Sequence, residues 1–133
     1  MALTYQNCQP YLPLKDGTKV VVVKVYDGDS LTLGWTDTDD QNVRLPCRVR
    51  GINTPELRGS SDFEKALAVR AKDRLKSKVL GNVVTIRLPS REKYGRVLAD
   101  LETDDCASIA SYMLEDPELC RPYQGGKKAD WEK

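Results

Sequence analysis

Histidine is absent from all 133 residues. That excludes Ser-His and Cys-His nucleophile pairs and every His-ligated metal. A general base is then most simply a carboxylate. A metal is most simply a hard one with oxygen ligands, such as calcium or magnesium. Charge of one sign is also lacking, since the net charge is +1. Any grip on nucleic acid must come from local clusters of Arg and Lys. The longest apolar run, Val20–Val23, is far too short to span a membrane. No basic stretch followed by an apolar one opens the chain, so no signal peptide is visible. The chain as written reads as soluble and intracellular; a trimmed secreted protein would read the same. The cysteines, Cys8, Cys47, Cys106 and Cys120, are too widely spaced for a zinc or thioredoxin pattern. Cys47 reads as a small buried hydrophobe, and a disulfide stays open. There is no internal repeat and nothing of low complexity.

The residues that are present, 40% hydrophobic and 31% charged, suit a globular chain with a core. The length suits one domain. Residues 1–17 carry Pro10, Pro13 and Gly17 and read as an irregular arm, leaving 18–133 as the single domain. The β-branched run Lys19–Val25 predicts a strand. Asp27-Gly28 is a hairpin signal, and Leu31–Trp35 returns as a second strand. An acidic loop, Thr36–Asn42, follows. In Val43–Val49 the apolar Val43, Leu45, Cys47 and Val49 alternate with Arg44 and Arg48, continued by Arg50, a third strand with an edge or a bulge at Pro46. Ser61-Asp62-Phe63-Glu64 is a capping box. It opens a helix with Phe63, Leu67, Ala71, Leu75 and Val79 every fourth residue, Ala66 and Ala68 alongside and Gly81 as its cap. Asn82–Leu88 and Arg96–Leu101 predict two more strands around a polar loop, Pro89–Gly95. Ala107–Leu114 predicts a short helix stopped by Pro117. The tail, from Arg121, is basic and Gly-rich. Three strands, a helix, two strands and a terminal helix is the order of an OB-fold. The expected class is α+β, mainly β: a five-stranded OB barrel with two to three helices packed on it.

Three polar clusters end the strand-like runs. Asp27-Gly28-Asp29-Ser30 is commonly just a turn. If Asp27-Gly28 makes that turn, Asp29 leads into the returning strand with a rim carboxylate able to take a cation. Asn53-Thr54-Pro55-Glu56 could start a helix. Arg58-Gly59-Ser60 follows at once, however, so a constrained turn holding the Asn53 oxygen, the Thr54 carbonyl and the Glu56 carboxylate together is the better reading. Arg44, Arg48 and Arg50 could simply be a solvated face, or Arg48 could fork onto a phosphate. Lys93-Tyr94-Gly95-Arg96 sits in a locally basic hairpin with Arg87 and Arg91, where a tyrosine suits base stacking. An in-line attack on a phosphodiester needs a deprotonated water, a clamp on the negative oxygens and a cation. Glu56, the pair Arg48 and Arg96, and a metal at Asp29 and Asn53 fill those roles.

The order of these blocks, from about Lys19 to Gly126, resembles the staphylococcal nuclease (thermonuclease) family. The tail Arg121-Pro122-Tyr123-Gln124-Gly125-Gly126-Lys127 is similar to the end of many members. The resemblance implies an OB barrel and calcium-dependent cleavage of DNA and RNA with the 5′-oxygen leaving. It implies Asp29 and Asn53 as calcium ligands, with Thr54 through its backbone carbonyl. Arg48 and Arg96 are the implied phosphate grips, and Glu56 the implied general base or orienter of water. Lys93 and Tyr94 match nucleotide-contacting positions, and Tyr123 a base-packing tyrosine. The family carries an aspartate where this chain has Asn53, which implies weaker metal binding, unless the acidic loop Asp37–Asp40 supplies a carboxylate.

The expected function is therefore a metal-dependent nuclease, with calcium as cofactor or else magnesium or another divalent cation. DNA and RNA are the expected substrates, with no membrane role and a monomeric state. The alternative is a non-catalytic OB module that binds nucleic acid. A third reading, an interaction domain unrelated to nucleic acid, would leave the co-occurrence of Arg48, Glu56 and Arg96 to chance.

Overall fold

A computed structural model of the chain describes residues 2–8, 11–59 and 61–131. Pro10 of the arm, Ser60 and the last two residues of the tail lie outside them. The described elements are β1 (Lys19–Asp27), β2 (Ser30–Thr36), β3 (Asn42–Val49), β4 (Ile52–Asn53), α1 (Asp62–Val79), β5 (Val83–Arg91), β6 (Val97–Glu102), α2 (Ile109–Leu114) and β7 (Arg121–Pro122). Five strands close a barrel in the order β1-β2-β3-β6-β5, and β4 and β7 form a separate pair. Within the barrel β3 and β6 run parallel, while the other neighbours are antiparallel. This is the expected α+β, mainly β, five-stranded OB barrel. No described helix is long and apolar enough to cross a membrane.

The core follows from strand alternation. Val20, Val22, Val25, Leu31, Leu33, Cys47, Val49, Val84, Ile86, Val97, Ala99 and Leu101 fill the barrel, with Leu75 and Val79 of α1 and Ile109 and Met113 of α2 packed in. Burial of such side chains is the main term holding the fold, about 1.5–3 kcal/mol each. In β1 the period slips at two register shifts, Val22/Lys24 and Val25/Asp27. Each extra residue at a bulge turns the strand's apolar face, so Val25 is buried and Tyr26 exposed although Val20 and Val22 face the core.

The start of α1 is as predicted, with a variation. The Ser61 side chain accepts from the Glu64 N–H. The Glu64 carboxylate does not reach back to the cap, however; it accepts from the Glu56 N–H at 3.1 Å. The helix start therefore also holds the Asn53–Glu56 turn. Leu67, Ala68, Ala71, Leu75 and Val79 are buried, whereas Ala66 is exposed. Gly81 lies just past the helix with φ +78°.

Two features of the strands differ from expectation, and the edge expected at Pro46 is found. β5 runs on through Pro89 to Arg91 rather than ending at Leu88. A register break between Arg87 and Ser90 accommodates the proline, which lacks a ladder N–H. β3 pairs with β2 without interruption across Pro46, and β6 joins only from Cys47; Pro46 thus stands where one side of the strand is still an edge. The β1–β2 turn is Gly28-Asp29, because Asp27 pairs with Ser30.

Candidate active site

The β2–β3 ladder pairs Ser30 with Arg48 at one end and Thr36 with Asn42 at the other. At about 3.3 Å per residue the two ends lie roughly 20 Å apart. The acidic loop Asp37–Asp40 is thus at the far end of the barrel, where Asp37 Oδ1 caps its own turn by accepting from Asp39 N and Gln41 N. That overturns it as a source of a metal carboxylate for Asn53.

At the near end Asp29 is in the turn itself and only 4% exposed. The expectation of a free rim carboxylate is corrected: the group is enclosed and used. Its Oδ1 accepts from Ser30 Oγ at 2.9 Å, and its Oδ2 accepts from Thr54 N at 3.2 Å and Arg48 Nη2 at 3.4 Å. The Asp29 carbonyl accepts from Val49 N at 2.8 Å, which locks the turn to the end of β3. Gly28 makes this closeness possible. A Cβ there would lie 2.8 Å from Ala71 Cβ and 2.8 Å from Thr54 Oγ1, distances that packed atoms do not tolerate. The turn, the Asn53–Glu56 segment and α1 meet over that missing methyl.

The three arginines of the β3 face separate. Arg44 is exposed. Arg48 is 7% exposed, so the solvated-face reading fails there; Nη2 also donates to Ile52 O at 3.0 Å. Arg50 lies past the strand end and donates to Leu88 O, Ser90 Oγ and Leu98 O, bracing the β5 irregularity. Of the basic hairpin, Arg87 bonds Glu102 and Asp16, and Arg91 donates to Tyr11 O. Lys93 and Arg96 remain toward the site.

A cleft of about 850 Å³ opens over this end, lined by Arg48, Arg50, Lys93, Tyr94, Arg96, Tyr123 and Lys128 among others, with Glu92 as its carboxylate. Both Nε and Nη2 of Arg96 donate to Glu92 Oε1. Tyr94 is 99% exposed at φ +64°, a left-handed conformation that is costly for a bulky residue and is found mostly at functional turns. The tail places Tyr123: Ile52 pairs with Pro122 and Asn53 with Arg121, and Tyr123 N donates to Gly51 O at 2.9 Å. Its ring centroid then lies 5.1 Å from the Arg48 guanidinium.

Asn53, Thr54 and Glu56 share a smaller neighbouring hollow of about 280 Å³ with Lys128. The turn therefore gathers the three residues expected of it. Asn53 Oδ1 and Thr54 Oγ1 are buried without a hydrogen-bond partner. An orphaned buried acceptor costs about 1–3 kcal/mol, a cost that a bound cation would remove. Among the described residues no three His, Cys, Asp or Glu side chains gather as a metal site. Asp27 and Asp29 flank Gly28 in the turn, where the Asp29 backbone N–H donates to Asp27 Oδ1 at 3.4 Å. Burial pushes the Asp27 carboxyl up to about 7, with the adjacent Asp29 charge adding to the rise. The Asp27 and Asp29 carboxylates and the unpartnered Asn53 amide oxygen are oxygen donors, the chemistry that suits a hard cation.

Sequence reasoning missed Asp27, which it read as a turn residue, and Lys128. The Lys128 Nζ lies 3.2 Å from Glu56 Oε1 and 5.5 Å from the Tyr123 ring centroid. No local signal marks Lys128, because its partner stands 72 positions away.

A curated Escherichia coli protein described as an uncharacterized endonuclease is 27% identical over 93 residues, covering 70% of this chain and 54% of that protein. The chain thus spans about half the length of the curated relative it matches. The family model of staphylococcal nuclease homologues matches residues 46–117, a span that carries Arg48, Asn53, Thr54, Glu56, Lys93, Tyr94 and Arg96 but not the Asp27–Ser30 turn or Tyr123. With that match over more than half of its 133 residues, on a barrel that brings both omitted segments to the same end, the chain belongs to the family of staphylococcal nuclease homologues.

Proposed function

We propose that the protein is a calcium-dependent nuclease that hydrolyses phosphodiester bonds of DNA and RNA and expels the 5′-oxygen. The observation that carries this reading is the placement of Arg48 and Arg96 on one basic cleft, with Arg48 hydrogen-bonded to the Asp29 carboxylate. Arg48 and Arg96 grip the non-bridging oxygens of the phosphate, where charge builds as water attacks. Glu56 takes the proton of that water, or orients it, as the new P–O bond forms and the bond to the 5′-oxygen breaks. The expelled 5′-oxygen takes up a proton from solvent, so the products are a 3′-phosphate and a 5′-hydroxyl. Lys93 binds the adjoining backbone, and the exposed Tyr94 and the cleft-lining Tyr123 stack bases.

Asp29, Asn53 and the Thr54 carbonyl would hold the cation, with Asp27 beside them. Calcium, or else magnesium or another divalent cation, would supply positive charge against the growing negative charge on the phosphate. The site needs no second copy of the chain, which suits a monomer.

The test is incubation with single-stranded DNA, plasmid DNA and RNA, each with calcium, magnesium or chelator, alongside Glu56→Gln. Cleavage with calcium, lost in chelator and strongly reduced in the folded Glu56→Gln protein, is expected. Intact substrate throughout, with binding retained, would instead establish a non-catalytic nucleic-acid module.

A further inference from the structure

The segment after β7 returns across the site and is clasped at its end. Gly125 and Gly126 take φ +98° and +87°, a reversal that residues with a Cβ resist. Trp131 is then 7% exposed and packs with Leu67, Ala71, Leu119 and Phe63. The Arg121 guanidinium stacks 3.7 Å from the Trp131 ring centroid, and Nη1 donates to Asp130 O at 3.2 Å. Between the reversal and the clasp, Lys128 lines both the cleft of Arg48 and Arg96 and the hollow of Asn53 and Glu56.

We infer that Lys128 is a substrate-binding residue: its ammonium rests on Glu56 in the free protein and passes to a backbone phosphate when a nucleic-acid strand enters the cleft. This rests on the nuclease reading and adds a phosphate contact and a trigger to it. The resting pair is half exposed on the Glu56 side, and exposed ion pairs are weak and readily exchanged. A phosphodiester in the cleft offers a full negative charge already drawn there by Arg48, Arg96 and Lys93. Lysine, a flexible point charge with three donors, suits such a transfer. Tyr123, with Lys128 on one contact and Arg48 on another, places a base-stacking ring beside both cations. Once Lys128 has moved, the Glu56 carboxylate is free to face water.

The experiment is binding of a fluorescent single-stranded oligothymidylate in chelator, followed by anisotropy across a salt series. Each phosphate contact on a single strand contributes a slope of about 0.7 in log K against log salt. Lys128→Met is expected to bind more weakly and to lower the slope by about that amount, while Lys128→Arg restores it. Lys127→Met, a neighbour lining neither space, is expected to keep the wild-type slope. An unchanged slope in Lys128→Met, even with a lower kcat, overturns the inference and leaves Lys128 as a holder of Glu56. An equal fall in Lys127→Met overturns it as well, since general charge would then explain the effect. No binding by the wild-type protein in chelator would overturn this inference, whereas the nuclease reading stands or falls on cleavage with calcium.

Discussion

Arg48 and Asp29 stand 3.4 Å apart, Nη2 to Oδ2, with both side chains more than nine-tenths buried. The residue proposed to clamp a phosphate is thus bonded to the residue proposed to hold the cation. Neither can change without leaving the other's charge unpaired.

Removing Arg48 leaves Asp29 enclosed beside Asp27 without a protein cation. Breaking a buried pair from one side costs about 3–5 kcal/mol. Arg48→Met is therefore expected to lower stability by that order in urea unfolding with chelator present. A loss under about 1 kcal/mol, the worth of an exposed pair, would mean that the Asp29 carboxylate is solvated by water once Arg48 is gone.

Gly28 is required by close approach. Gly28→Ala places a methyl 2.9 Å from Thr54 Cβ and closer still to Ala71 Cβ, and overpacking of this kind costs about 1–3 kcal/mol. The variant is expected to melt earlier and to cleave poorly, because the turn is pushed away from Thr54. A melting temperature equal to that of the wild type would show that α1 yields without cost.

Arg96 rests on Glu92 in the free protein and is proposed to stabilise charge only as it develops. Arg96→Ala is then expected to lower kcat by about 10² or more, as for loss of one preorganised donor. Steady-state kinetics decide: an unchanged kcat with a raised KM would make Arg96 a contact of the bound substrate only.

Asn53 Oδ1 is buried and unpartnered. In Asn53→Asp a full charge would replace a dipole at the proposed cation site. That adds on the order of one to a few kcal/mol, or about tenfold or more in calcium affinity. Calorimetric titration with a bound nucleotide analogue is expected to show weak binding in the wild type and tighter binding in the variant. Equal affinities would remove position 53 from the ligand set.

All four cysteines are free thiols, and they differ in reactivity. Burial pushes the Cys47 and Cys120 thiols up to about 12, whereas Cys8 is exposed. Thiolate is the reactive form, so alkylation at about pH 8 is expected to modify Cys8 in the native protein and Cys47 and Cys120 only after unfolding. Native-state labelling of Cys47 as fast as Cys8, read by mass spectrometry, would mean that β3 opens readily.

Local chemistry made much of the fold legible. β-branched runs marked the barrel strands, four-residue spacing and a capping serine marked α1, and the absence of histidine pointed to carboxylates and oxygen-bound metals. Those signals are short-range, so they appear in any window of the chain. Periodicity reports which face a side chain takes but not which end of the barrel it reaches. Arg44 and Arg48 share one face of β3, yet only Arg48 meets the Gly28-Asp29 turn and is buried. The acidic loop looked like a spare carboxylate until the β2–β3 register carried it to the far end. Only the tertiary structure joined β7 to β4, set Tyr123 beside Arg48 and returned Lys128 to Glu56. Each of these contacts is chosen by chain closure over many tens of residues, and no local propensity encodes such a choice.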